Sequence, residues 1–506
     1  MINRTAIIDI GSNSARLVIF EKSSKFGFHI ICEQKSRVRI GEGAYSNNGY
    51  LQPIGIERAY LALESFVQTI NKYNAKETLS IATSALRDAP NGKKFVKWIE
   101  KKLGISINII NGNEEAKLGA IAIINLLPIL DAITIDIGGG SSDISLINNK
   151  NIIQTYSLNI GTVRIKELFF DNKNLSKKNA TIKAREYIAK ELNKLPSNFK
   201  EKIAVGIGGT ARTLGKGIMK RNQYPLNKLH AFNYKIEDEL SYFNEIITSS
   251  DNKSLQSLYI KKGRYDTIRE GTLIFIEIIK AIEAKEVITG GVGVREGLFL
   301  KNMLKKYDYK FPDTVNPSLT NILDRFDVIT TNSSKSSHRI KIASKLYNIF
   351  YNESNLDKEY QKELYIALEL SNIGKTLTLY DAHKHAFYIS MQELNFDFTH
   401  KEMILISLLL RMDSNSLLNK DLFSKFRSIL PKKEKVKYLS FIYTLTVLLH
   451  DNSNNAEIEF VYKDDILYIK SNQSLYHSKE SIRALEKPHN FDIVFNDKKF
   501  ETEYNF

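Results

Sequence analysis

The phrase "TIDIGGGSSDISLI", residues 134–147, has a counterpart 127 positions upstream in "AIIDIGSNSARLVIF", residues 6–20. Both read apolar run, Asp-Ile-Gly, two residues, Ser, then a second apolar run. A strand–turn–strand unit repeated at that distance implies duplication of a domain rather than a short solenoid repeat. The chain is therefore expected to carry two related α/β lobes. With 506 residues it is too long for one core, and three or four domains are expected.

Hydrophobic periodicity fills in the lobes. Strands are expected at 5–10, 17–21 and 27–32, with 37–40 adding to the meander. A helix over 56–70, strand 79–83, helix 94–103, strand 105–110 and helix 114–126 follow. The second lobe has the same character, with a hairpin turning at 148–150, a helix over 176–195, and a strand "IAVGIGGTART" (203–213). A helix near 267–283, a strand at 286–291 and the loop "GVGVREG" complete it. The expected domains are 1–127, 128–311, an all-α region 312–450, and a small α/β end piece 451–506, set off by a polar break at 452–455.

Lys and Arg outnumber Asp and Glu by 72 to 57, a formal charge of +15. That excess suits a polyanionic partner, although a lysine-rich proteome would also produce it. A single cysteine, Cys32, excludes an intramolecular disulfide and a cysteine-based zinc site. Asp9 and Gly11 interrupt the N-terminal apolar stretch, and Asn125, Pro128 and Asp131 interrupt the longest one. No signal peptide or membrane span is read, and a soluble, cytoplasmic protein is expected.

A phosphate needs converging N–H donors and a backbone that side chains do not obstruct. Gly11, Ser12, Asn13 and Ser14, and Gly138, Gly139, Gly140, Ser141 and Ser142, meet that need. A tight turn explains one such loop; two, each preceded by a strand-end Asp, favour phosphate binding. Neither is a P-loop or a dinucleotide fingerprint, since no Gly-Lys-Ser/Thr follows and a strand comes next. Asp9 and Asp136 could hold Mg²⁺ or stabilise their own turns, and Asp143 could add a third carboxylate. In "IINGNEEAKLGA", Asn113 as N-cap would put Glu114 and Glu115 in a first helical turn. Their ionised forms would be favoured there, suiting a base more than an acid, though ordinary N-terminal charge preference explains them as well. Arg87 in "ATSALRDA" could clamp phosphate oxygens. Lys35, Arg37 and Arg39 could form a cationic track or a solvated edge strand.

Together "DIGSNSARL", "RVRIGEG", "ATSALRDA", "GNEEAKLG", "DIGGGSSDIS", "GIGGTART" and "GGVGVREG", over roughly residues 1–300, resemble the exopolyphosphatase/guanosine pentaphosphate phosphohydrolase family of the actin-like ATPase superfamily. The resemblance implies two ribonuclease-H-like lobes facing a cleft, followed by an HD-like helical domain and a small α/β domain. It implies that Glu115 orients the attacking water, that Arg87 binds the substrate phosphate, and that Asp136, with Asp143 and Asp9, holds Mg²⁺, Mn²⁺ remaining open to the same oxygen ligands. Gly208, Gly209 and Thr210 join Glu114 and the two loops as expected substrate-binding residues. The expected substrates are inorganic polyphosphate, guanosine pentaphosphate or both. A homodimer is expected, and neither nucleic acid nor membrane. Ser371 and Asn372 stand where a metal-dependent HD domain carries His-Asp. His338, His383 and His385 remain, but a second hydrolytic centre is not expected there. Two other classes stay open: an actin-like ATPase or sugar kinase, which leaves Glu115 and Arg87 without roles, and a non-catalytic polyphosphate- or nucleotide-binding regulator.

Overall fold

The apolar run at residues 5–10 is buried on both faces, as expected of a central strand between helical layers. It forms β1 (Asn3–Ile10), antiparallel to β2 (Ala15–Lys22) and parallel to β4 (Glu77–Ala82). With β3 (Phe28–Ser36) and β5 (Asn108–Ile109) the sheet order is β3-β2-β1-β4-β5. This computed structural model describes residues 3–44, 47–171, 174–327, 333–354, 356, 358, 360–412, 416–451 and 456–496. The chain divides into two units, Met1–Pro317 and Ser318–Phe506. The polar break read at 452–455 lies outside the described residues.

In the first lobe, α1 (Pro53–Lys72) starts with Pro at its first position and buries Ala59, Leu63, Phe66 and Ile70 on one stripe. Helices α2 (Ser84–Asp88), α3 (Gly92–Leu103) and α4 (Gly112–Leu126) follow. The second lobe starts with β6 (Ala132–Ile137), β7 (Ser142–Asn148) and β8 (Asn151–Leu158). Asn149 and Lys150 both have positive φ, as a two-residue hairpin turn requires. After α5 (Thr162–Ile165) and α6 (Lys177–Leu192) come β9 (Ile203–Ile207), α7 (Gly208–Arg221), β10 (Asn233–Lys235), α8 (Ile236–Thr248), α9 (Asn252–Ser257), α10 (Ile268–Ala281), β11 (Glu286–Thr289) and α11 (Val294–Met303). The sheet order β10-β11-β9-β6-β7-β8 repeats the first lobe, with β10 added at one edge. Both lobes are ribonuclease-H-like.

Helix α4 packs against β7 and β8, and α11 against α4 and β1, so these two helices stitch the lobes together. Phe299 of α11 stacks on Phe20 of β2 at 4.2 Å. Ile81, Ile110 and Leu118, with Val294 and Leu298, form a small apolar cluster at the joint.

Four sequence expectations change. Residues 37–40 leave the sheet, because Arg39 turns to φ +44 and donates its N–H back to Asn13 O at 3.1 Å. The strand at 105–110 shrinks to two residues. The strand read over 203–213 stops at Ile207, and α7 begins at the glycine pair. Of "GVGVREG", only Gly291–Gly293 is loop, since α11 starts at Val294.

Among the described residues, the elements of the second unit up to Asp451 are all helices. The unit ends in a sheet of β12 (Ile458–Lys463), β13 (Ile466–Ser471) and β14 (Asp492–Asn496) in that order. Asp464 and Asp465, both at positive φ, turn the β12–β13 hairpin. Buried Arg339 bonds Ser371 Oγ at 2.8 Å and Asp451 at 3.3 Å. His338 meets His450 at 2.9 Å. A cation of the protein's own thus lies beside the position where an HD domain would carry its His-Asp pair.

Candidate active site

The two related turns close alike. Gly11 N–H donates to Ser14 O at 3.1 Å, and Gly138 N–H to Ser141 O at 2.9 Å. Each is braced by a neighbouring segment: Gly41 N–H reaches Ser12 O, and Thr162 N–H reaches Gly138 O. The turns face each other across a cavity of about 180 Å³ within the first unit. Gly11, Ser12, Asn13, Ser14, Gly138 and Gly139 line it. A Cβ on Gly139 would lie 2.9 Å from Ser12 Cβ of the opposite lobe, so only glycine permits this approach. Gly140, Ser141 and Ser142 do not line the cavity. Gly140 O accepts from Arg164 at 2.8 Å, and Ser142 Oγ donates to Ile160 O.

Helix α4 is capped by Asn111, not Asn113: Asn111 Oδ1 accepts from Glu114 N–H at 2.9 Å. Glu114 and Glu115 remain in the first turn but point about 100° apart, as consecutive helical residues must. Glu115 lines the cavity. Glu114 does not; it pairs with Lys301 of α11 at 2.8 Å. Burial, and then the neighbouring Asp143, push the Glu115 carboxyl well above the ordinary range against the pull of Arg87. The helix terminus therefore does not decide the charge of Glu115; desolvation and a second acid do. Arg87, on α2, donates to Glu115 Oε2 at 3.2 Å and to Ile110 O at 3.1 Å. It holds the carboxylate and is not among the residues lining the cavity.

The opposite wall is the N-terminus of α7, where Gly208, Gly209 and Thr210 line the cavity. Gly208 adopts φ +77, and a Cβ there would fall 2.1 Å from Asp136 Oδ1. The strand-to-helix turn thus aims first-turn N–H groups at the cavity, the arrangement that favours anions. Arg16, Lys35, Arg212, Arg264 and Arg295 add cations from five separate segments. Burial, with Arg16 and Arg264 beside it, lowers the Lys35 ammonium to about 8. Arg16, Arg212 and Arg295 lie inside the quoted motifs but carry no chemistry by spacing alone. Arg264 has no local signal. Arg37 and Arg39 reach Gly263 O and Asp266 across the cleft instead of forming a strand-borne track.

Asp9 and Asp136 line the cavity at equivalent strand ends. Asp143, Asp136's cross-strand partner, is buried and is not a lining residue. Burial raises all three: Asp136 to about 6, Asp143 also through Asp136, and Asp9 despite Arg295 and Arg16. Among the described residues no group of three or more His, Cys, Asp or Glu side chains is placed to hold an ion, so the three aspartates do not form one centre. The Asp136–Asp143 pair does suit a divalent cation. Asp143 Oδ1 is buried without a hydrogen-bond partner, and Mg²⁺ is commonly held by one or two carboxylates plus substrate oxygens.

The family model described as Ppx/GppA phosphatase family matches residues 18–306, and that for its domain III matches 317–498. The chain belongs to the Ppx/GppA phosphatase family. A guanosine-5'-triphosphate,3'-diphosphate pyrophosphatase of Pseudoalteromonas translucida is 27% identical over 396 residues, 76% of each protein. A bifunctional 3-dehydroquinate synthase/phosphatase of Fusobacterium nucleatum is 34% identical over 290 residues, 54% of this chain; the chain spans only 43% of that relative. The crystal structure of the Aquifex aeolicus Ppx/GppA member superposes with TM-score 0.52 at 26% identity, covering 61% of this chain and 99% of that one. Membership makes the chain a phosphatase-family protein with an actin-like fold. No helix among the described residues is long and apolar enough to cross a membrane.

Proposed function

We propose that the protein releases terminal phosphate from inorganic polyphosphate, guanosine pentaphosphate, or both, by in-line attack of water. The observation that carries this reading is Glu115: a carboxyl with raised proton affinity, fixed by Arg87, on the wall of a small cavity otherwise rich in cations and backbone donors. A carboxyl whose proton affinity is raised is suited to take a proton from water. The α7 N-terminus, the two turns and Arg16, Arg212, Arg264 and Arg295 would hold the phosphoryl oxygens and neutralise charge as the bond to the leaving phosphate breaks. Mg²⁺ on Asp136 and Asp143 would supply further neutralisation when bound. A kinase needs an acceptor and leaves Glu115 idle, and a pure binding protein has no use for an aligned base.

Phosphate release from either substrate with Mg²⁺ tests the reading. Glu115→Gln is expected to lower the rate by roughly 10²–10⁴-fold while retaining substrate binding. Undiminished release by the variant, or none by the wild type, would overturn it.

A further inference from the structure

A buried histidine away from the cavity ties together the parts of the site that come from different lobes. His230 lies just before β10, and both of its ring nitrogens are engaged. Nδ1 accepts the Gly291 N–H at 3.0 Å, and Nε2 stands 2.7 Å from Leu126 O. A backbone N–H only donates and a carbonyl only accepts, so the neutral ring with its proton on Nε2 makes both bonds.

Two local features place the ring there. Ala231 turns to φ +65, a conformation costly for a residue with a side chain, and its N–H bonds Thr289 O at 3.0 Å. Gly291 leaves the room, since a Cβ there would fall 2.7 Å from His230 Cβ.

Each end of this bridge leads to groups that meet phosphate under the proposed reaction. Leu126 is the last residue of α4, whose first turn carries Glu115 about 17 Å away along the helix. Gly291 belongs to the loop 290–293. Arg212 grips that loop from the cavity side, Nε on Gly290 O at 3.0 Å and Nη2 on Val292 O at 3.1 Å. Arg295 follows in the first turn of α11 and, like Arg212, lines the cavity. A shift of the loop would therefore carry both guanidinium groups with it. Apolar packing of α4 against α11 sets how close the lobes lie, but it resists sliding weakly. Directional hydrogen bonds at both ring nitrogens resist it.

We infer that His230 is a positioning residue: it sets the register between the helix that bears Glu115 and the loop that aims Arg212 and Arg295 at the phosphate. His230 does not line the cavity itself. The inference rests on the phosphohydrolase reading.

The test separates the two bonds in the full chain. In His230→Asn, Oδ1 stands as many bonds from Cα as Nδ1, so the loop contact is kept and the α4 contact is lost. In His230→Gln, the amide nitrogen replaces Nε2, so the α4 contact is kept and the loop contact is lost. Tripolyphosphate hydrolysis with Mg²⁺ and titration with inorganic phosphate are measured for both. His230→Asn should lower kcat by about tenfold or more while phosphate affinity stays within about twofold of wild type, which also shows that the variant folds. His230→Gln should lower kcat similarly and weaken phosphate binding by about fivefold or more. The same pattern in both variants, or a kcat loss under about threefold in either, would overturn the inference. Nitrogen NMR of the wild type should find the His230 proton on Nε2; a ring protonated on Nδ1 would overturn it whether or not the variants fold. If the wild type hydrolyses nothing, the phosphate titration separates the two readings. Binding weakened in His230→Gln and kept in His230→Asn sustains the hold on the loop after the reaction reading has failed, and equal binding in all three, or none by the wild type, rejects both.

Discussion

The duplicated turns differ most at one matched position. In the first lobe Asp9 lies opposite Arg16 across β1 and β2; in the second, Asp136 lies opposite Asp143 across β6 and β7. The same backbone therefore presents an acid beside a base on one side of the cleft and an acid beside an acid on the other. In the first pairing Arg295 and then Arg16 oppose the rise that burial gives Asp9. In the second, burial raises both carboxyls; Arg212 opposes this at Asp136, a Ser157 hydrogen bond opposes it at Asp143 while Asp136 adds to it, and Asp143 Oδ1 has no hydrogen-bond partner. The two cradles share a backbone, and the acid-beside-acid pairing occurs in the second one.

The comparison breaks first in activity. Asp136→Asn and Asp143→Asn should each cut Mg²⁺-dependent phosphate release about 100-fold, and a loss under threefold in both would remove the metal from the second cradle. Stability should split by sign. Arg16→Gln removes a cross-strand cation and should lower metal-free stability by about 1 kcal/mol. Asp143→Asn relieves a buried acid pair and should raise it by about 1 kcal/mol, as read by urea unfolding; shifts in the same direction would refute the asymmetry. A smaller effect concerns pH. Lys35, lowered to about 8, holds its charge below that pH and loses it above. KM for substrate should thus rise severalfold between roughly pH 7 and roughly pH 9, and Lys35→Gln should flatten the profile. A KM that is flat in the wild type would show that Lys35 does not meet the anion. Smallest is Ser371→Ala, expected to leave phosphate release unchanged while costing about 1 kcal/mol through the lost Arg339 hydrogen bond; a large loss of activity would place chemistry in the helical unit.

The sequence makes legible what is local. Both turns, the strand-end aspartates and the long-range repeat follow from short phrases with a physical meaning, whereas Glu115 is singled out only by the family resemblance. Glu114 is misplaced by sequence because two adjacent acids in a first turn look equivalent until the helix fixes their directions. The α7 start is hidden because Gly208, Gly209 and Thr210 are poor helix formers that read as extended. Tertiary placement beside Asp136 overrides that preference. The cations are hidden for another reason. Arg16, Lys35, Arg212, Arg264 and Arg295 meet only through folding, and no spacing along the chain announces it. The raised proton affinity of Glu115 likewise depends on burial and then on Asp143, which comes from a strand of the other lobe.

The size of the reaction cavity carries a consequence for where a substrate can be cut. Two opposed turns, with Gly139 almost touching Ser12, leave about 180 Å³, room for the tip of a phosphate chain. A middle segment would need a way in and a way out on opposite sides. A cavity that receives only that tip acts on a free terminus. Under the proposed reaction, shortening from the end is thus a matter of steric admission before any bond-specific chemistry: the door measures ends, and the same steric limit spares interior linkages.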